Sequence, residues 1–194
     1  MTSFPLPLRE GVRGMGRLAQ GEDDSGLHRY ASLIAAIASV AIFGLSIGEF
    51  APLLSLLLEQ RGTNAAVTGL NAGAAFIGVM VGPLLTPTLV QRFGIRNLLL
   101  GCFALDIALT LLMKPFGGLG AWFVLRAALG LVGSTLFTTG EAWINLLAGD
   151  RVRGRVIGLY ATGLSAGFAL GPLLLTVTGL DGWPPFVANA AIVA

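Results

Sequence analysis

Five apolar runs, each long enough to cross a bilayer and separated by short polar loops, restrict this chain more than any other feature of its sequence. They extend from about Ala31 to Leu58, Val67 to Val90, Asn97 to Met113, Gly120 to Leu147 and Val156 to Leu180, and a sixth begins near Pro184 and reaches Ala194. A bilayer core requires about 20 helical residues per crossing, and the runs approach or exceed that length. A small soluble domain has no use for so many buried helices. Composition agrees: 55% of residues are hydrophobic and 11% charged, and the mean hydropathy is +0.82, too little charge to clothe a soluble surface. The 28 glycines fit a membrane interior, where small residues let helices approach closely. The expected fold class is therefore an all-α polytopic membrane protein.

Residues 1 to 30 carry glycine, proline and mixed charge without periodicity and read as a flexible cytoplasmic tail ahead of a transmembrane domain over 31 to 194. The tail has no apolar segment of the kind found in a cleaved secretory signal, and Met15 is an alternative start. Loop charges set the orientation. Arg92 and Arg96 after the second run, and Arg151, Arg153 and Arg155 after the fourth, fall on the tail's side, whereas the other side receives Arg61 and Lys114 near run ends. Cytoplasmic loops collect arginine and lysine, which predicts a cytoplasmic amino terminus for an inner-membrane protein. The net charge of +2 reflects this placement and not a nucleic-acid footprint.

The second and fifth runs also share a sequence. An offset of 89 aligns VTGLNAGAAFIGVMVGPLL from Val67 with VIGLYATGLSAGFALGPLL from Val156, pairing Gly78 with Gly167 and Gly82-Pro83 with Gly171-Pro172. A fainter echo links Gly48-Glu49-Phe50 to Gly140-Glu141-Ala142 at an offset of 92. Three runs per repeat place the second copy upside down in the membrane, so the chain reads as two inverted three-helix repeats with the last helix cut short, an arrangement used by transporters.

Ionisable groups within apolar runs are costly and mark function or pairing. Arg126 and Asp106 fall at similar depth, each suited to a substrate or coupling-ion pathway or to a structural pair, with a direct Asp106 to Arg126 contact as one option. Glu49 is suited to binding a cation or exchanging a proton, against a structural contact as the plainer reading. Glu141, near the inner end of the fourth run, suits a cytoplasmic latch with Arg92, Arg96 and Arg153, or a passive interfacial ion pair. Gly78, Gly82 and Pro83, like Gly167, Gly171 and Pro172, combine a close-packing groove with a bend, serving either ordinary packing or a hinge. Trp122, Trp143 and Trp183 sit near run ends and read as interfacial anchors. Asn145 and Tyr160 are candidate lining groups by position alone. Cys102, the only cysteine, reads as a small buried hydrophobe, and His28 lies in the tail. No metal cluster, cofactor motif, Walker sequence or nucleophile-base pair is apparent, so the expectation is no cofactor, no metal, no enzyme activity and no nucleic-acid partner.

These features resemble the major facilitator superfamily. Its loop motif G-x-L-a-D-R-x-G-R-R is matched by Pro87 to Arg96 at Leu89, Arg92, Gly94 and Arg96, with Pro87, Gln91 and Ile95 departing from it. The loss of the aspartate at Gln91 weakens the family's cytoplasmic charge relay. Arg126 with Gly130 resembles the fourth-span R-x-x-x-G pattern linked to proton coupling, and Gly167, Gly171 and Pro172 resemble the antiporter G-x-x-x-G-P pattern. The GEAWIN and RGRVIGLY stretches are similar to a bacterial branch of poorly characterised transport proteins. The resemblance implies the amino-terminal six-helix half of a proton-coupled carrier of a small organic solute, working by alternating access in the lipid bilayer. It also implies a carboxy-terminal half, or a second copy, as partner. The competing reading is a membrane structural or regulatory module that keeps the fold without transport.

Overall fold

The computed structural model describes residues 34–35, 37–147 and 153–194; the 1–30 tail, Arg151 and the side chains of Trp143, Asn145 and Arg153 lie outside what is described. The described residues form helices and no strand. In chain order these are α1 (Ile37–Gln60), α2 (Ala65–Phe93), α3 (Ile95–Leu112), α4 (Leu119–Leu147), α5 (Arg153–Thr178) and a short α6 (Pro184–Val193). The first five are long and apolar enough to span a membrane.

Local chemistry sets the joints. The Asn64 side chain accepts from the Ala66 amide at 2.9 Å and caps α2, offsetting one of the amides a helix start leaves unpaired. Gly94 separates α2 from α3 with φ of 75°, a conformation that side chains with a Cβ rarely adopt. Its amide closes α2 by donating to the Val90 carbonyl at 2.9 Å. Pro184 opens α6 at its first position, where a missing amide costs nothing. Pro83 and Pro87 lie inside a continuous α2, and Pro172 inside a continuous α5.

Glycines decide which helices touch. Gly78 of α2 is pressed against the backbone of Ala127, Gly130 and Leu131 on α4, and Gly82 against Ser134. On the other side of the bundle, Gly167 of α5 meets Ala41 and Leu45 on α1, and Gly171 meets the backbone of Gly48 and Glu49. The reciprocal contacts correspond too: Gly130 meets Ala75 as Gly44 meets Leu164. So α2 packs on α4 as α5 packs on α1. Each repeat sends its second helix onto the first helix of the other, as two interlocked inverted triplets require.

These contacts correct one expectation. Ala41, Gly44, Leu45 and Gly48 are the spatial counterparts of Ala127, Gly130, Leu131 and Ser134, an offset of 86. The equivalence of Glu49 with Glu141 at 92 does not hold in space. The counterpart of Glu49 is Thr135, because helix packing registers small residues against backbone and is indifferent to the matching charge.

Three apolar clusters fill the spaces left between helices. Toward the α3–α4 joint lie Phe50, Leu53, Leu54, Leu58, Met113, Trp122 and Phe186, with Phe50 and Phe186 edge to face at 5.9 Å. A second joins Phe43, Leu98, Cys102 and Leu109 to Val132 and Leu136. The third contains Val40, Ile144 and Tyr160. Trp122 is therefore no interfacial anchor: only 1% of it is exposed, its Nε1 donates to the Met113 carbonyl at 3.0 Å and the Arg61 guanidinium lies 4.3 Å from its ring centroid. Arg61 also donates through Nη1 to the Gly117 carbonyl at 2.7 Å, tying the α1–α2 loop to the α3–α4 loop. Trp183 remains half exposed.

Candidate functional site

Glu49, Asp106 and Arg126 are all buried, at 0%, 5% and 8% exposure. Their levels follow from the packing. Val40 lies beside Gly140 and Phe43 beside Gly133, so α1 and α4 run antiparallel and Glu49 falls level with residues 127 to 131 of α4. The Trp122 to Met113 hydrogen bond sets α3 against α4 and brings Asp106 level with residue 129. At about 1.5 Å per residue the three groups share a layer roughly 8 Å deep. Among the described residues no ion pair joins Asp106 to Arg126, so the direct contact weighed from the sequence is not formed.

Glu49 sits where α1, α5 and α6 meet. Its Oε2 accepts from Nδ2 of Asn189 at 3.2 Å, while its Oε1 is buried without a hydrogen-bond partner. Asn189 is used on both sides of its amide: Nδ2 also donates to the Ser46 carbonyl at 2.9 Å, and Oδ1 accepts from the Ser46 hydroxyl at 3.1 Å. This three-residue cluster joins α6 to α1. In an apolar interior such bonds fix the facing of two helices, although each contributes only about 0.6 kcal/mol on average.

Arg126 carries a second set of unused groups. Its Nε is buried without a partner, and so is Nδ2 of Asn71 on α2. Because Ala75 meets Gly130, and α2 and α4 run parallel, Asn71 one turn before Ala75 lies level with Arg126 one turn before Gly130. Two donors thus stand at one level without acceptors, and the Glu49 oxygen is an acceptor without a donor. Buried polar atoms left unpaired are costly in a bilayer, and three of those among the described residues fall within this layer.

The expected gate residues lie at the opposite end of α4. Arg92 and Arg96 are exposed on either side of Gly94, and Glu141 is exposed on α4 and engaged in an interaction of its own. The hydroxyls of Thr139 and Tyr160, both buried nearby, have no hydrogen-bond partner. Of the glycines, Gly78, Gly82, Gly167 and Gly171 are buried helix contacts, whereas Pro83 and Pro172 face outward.

Ser46, Asn71 and Asn189 were missed in the sequence, as was the packing role of Gly44 and Gly48, the latter noted only in the echo with Gly140. The glycine pair had a readable signal, a spacing of four on one helix face. The amides had a weaker one: each is an uncharged polar residue inside an apolar run, which hydropathy averages conceal.

Comparison with known proteins agrees with this architecture. The family described as Major Facilitator Superfamily matches residues 33–194. The uncharacterized MFS-type transporter YfkF of Bacillus subtilis is 26% identical over 153 residues, 79% of this chain and 39% of that protein. The uncharacterized transporter mfc1 of Schizosaccharomyces pombe is 28% identical, over 73% of this chain and 28% of its own length. The MFS antiporter QDR3 of Candida albicans is also 28% identical, over 73% of this chain and 20% of its own length. The chain thus spans less than half the length of these relatives. A match across nearly all of the helical region, on a bundle of five membrane-length helices packed as interlocked triplets, places this multi-pass membrane chain in the major facilitator superfamily.

Proposed function

We propose that the chain is the amino-terminal half of a secondary transporter that carries a small organic solute across a bacterial inner membrane by alternating access, coupled to protons, with its amino terminus in the cytoplasm. The observation that carries the reading is the buried layer holding Glu49, Asp106 and Arg126 without ion pairing among the described residues. Arg126 and Asn71 offer donors to an electronegative group of the solute. Glu49 offers an oxygen that a proton or other cation occupies, and Asn189 holds the other oxygen in place. Asp106 supplies a second carboxylate to the same pathway. A carboxy-terminal half, or a second copy of this chain, closes the layer from the opposite side.

Arg92, Gly94, Arg96, Glu141 and Arg153 form the cytoplasmic gate in this scheme, with Gly94 as its pivot. The backbone contacts of Gly78, Gly82, Gly167 and Gly171 make the half a stiff body, so that movement occurs by rocking against the other half. The antiporter among the relatives supports ion-coupled exchange as the class of mechanism.

The test is solid-supported-membrane electrophysiology on the full-length protein in proteoliposomes, using a panel of organic solutes with and without a pH gradient. Solute-evoked current in the unmodified protein, lost in Arg126→Ala, is the expected result. Glu49→Gln, which retains the side-chain shape, is expected to remove the dependence on the pH gradient. Silence across the panel with folded protein favours the non-transporting module. Current unaffected by either substitution removes the buried layer from the mechanism.

A further inference from the structure

A groove of about 300 Å³ opens between α2, α3 and α4, running from the α2–α3 loop to Leu105 and Leu131 beside the buried layer. Its walls include Leu89 and Phe93 of α2, Gly101 and Cys102 of α3 and Val132 of α4, and Asn97 stands at its rim. Phe93, Asn97 and Gly101 are exposed, so the groove opens on the outside of the bundle, and Gly101 leaves open space where a side chain would stand. Its mouth lies at the end of the bundle that carries the α2–α3 loop.

The mouth of this apolar groove is basic. The Arg92 guanidinium lies 5.6 Å from the centroid of the Phe93 ring, which itself lines the groove, and Arg96 precedes Asn97 at the rim. Between Thr86 and Leu105 the sequence contains no aspartate or glutamate. Among the described residues neither arginine has an ion-pair partner. The first turn of α3 also has no side-chain cap on its amides, which adds positive potential at the same point.

An apolar slot with two exposed cations at its mouth, neither of them ion-paired among the described residues, matches an acyl chain carrying an anionic headgroup. We propose that this groove is a binding site for an anionic phospholipid such as phosphatidylglycerol: one acyl chain lies along Leu89, Gly101 and Val132, and the phosphate contacts Arg92 and Arg96. Basic pockets between membrane helices on the cytoplasmic side recognise anionic headgroups in this way. A packed protein segment over the same face would have to leave both arginines without counter-charge or bring an acid of its own. The site rests on the multi-pass membrane character of the chain and not on the transport reading, so it stands if transport fails.

The experiment uses the purified full-length protein in neutral detergent with two photoactivatable lipids, phosphatidylglycerol and phosphatidylcholine, bearing the same diazirine-labelled acyl chain. Peptide mapping by mass spectrometry locates the label. The expected result is labelling of the 89–105 and 131–135 segments, with phosphatidylglycerol favoured about tenfold or more, since each of the two basic residues at a membrane surface contributes roughly fivefold. Arg92→Gln with Arg96→Gln lowers phosphatidylglycerol to the phosphatidylcholine level, whereas Arg92→Lys with Arg96→Lys keeps the preference and shows that the fold is intact. Gly101→Leu, which fills the groove, lowers labelling by both lipids. Equal labelling by the two lipids overturns the proposal, as does a Gln variant that behaves like the unmodified protein or a Gly101→Leu variant that labels normally. Label found only on other helices, as when another segment of the protein covers the groove, also overturns it.

Discussion

Gly82 and Gly171 occupy corresponding places in the two repeats, yet alanine should be better tolerated at the first than at the second. A Cβ on Gly171 would run into the backbone of Gly48 and Glu49, with no side chain to turn aside. Relief requires α1 and α5 to move apart, and overpacking of this kind costs about 1 to 3 kcal/mol. A Cβ on Gly82 meets chiefly the Ser134 hydroxyl, with the Leu131 carbonyl next at 3.0 Å. That hydroxyl donates to the Leu131 carbonyl at 3.1 Å; a rotation of Ser134, at roughly 0.5 to 1.5 kcal/mol, moves it aside, and the Ser134 Cβ at 3.1 Å and the Leu131 carbonyl then have to give only slightly. Alanine also restores up to about 0.5 to 1 kcal/mol of helix propensity at either site, so Gly82→Ala should cost less than Gly171→Ala. Gly73→Ala, where nothing lies within 4 Å, serves as the reference. Thermal unfolding in detergent, followed by fluorescence-detected size exclusion, reads the order directly. At about 2 to 4 °C per kcal/mol for a chain of this size, Gly171→Ala should melt several degrees below the parent, with Gly82→Ala between the two and Gly73→Ala at or above the parent. A Gly82→Ala variant that melts at or below Gly171→Ala would refute the reasoning, because the character of the opposing atom would then not decide the cost.

Asn189→Leu removes the bonds to both Ser46 and Glu49 and leaves a buried carboxylate oxygen without its donor, so a loss of about 1 to 3 kcal/mol in stability is expected; Ser46→Ala, which deletes only the hydroxyl's bond, should cost less in the same assay. Arg61→Ala frees the Gly117 carbonyl and uncovers Trp122, and about 1 kcal/mol is expected from the lost stacking and hydrogen bond, seen as faster proteolysis in the α1–α2 loop. Trp122→Phe keeps an aromatic ring but loses the bond to the Met113 carbonyl and part of the indole's buried volume, so its melting temperature should fall, though less than that of Trp122→Ala. In transport assays Asn71→Ala is expected to weaken the apparent affinity for solute, whereas Asn97→Ala, at the outer groove, should leave it unchanged.

The helices were readable from sequence because a bilayer imposes a minimum length of apolar chain, and a single charge such as Asp106 or Arg126 does not break the run. The repeat was readable where it is carried by glycine spacing, since Gly78, Gly82, Gly167 and Gly171 need close backbone contact whichever helix they meet. The partners of those glycines were not readable. That Gly171 meets Gly48 and Gly78 meets Gly130 depends on how the triplets interlock, and the misleading Glu49 to Glu141 echo shows that local similarity does not set spatial register. Trp122 failed as an anchor for the same reason: position near a run end does not say whether a ring meets lipid or another helix.

Span number, the small-residue faces and the buried charges follow from the sequence by itself, because each is a property of one segment in an apolar medium. The association of Glu49 with Asn189, the shared level of Arg126 and Asn71, and the basic-mouthed groove beside Phe93 required the tertiary structure, because each joins residues whose proximity is set by helix crossing and register across the bundle.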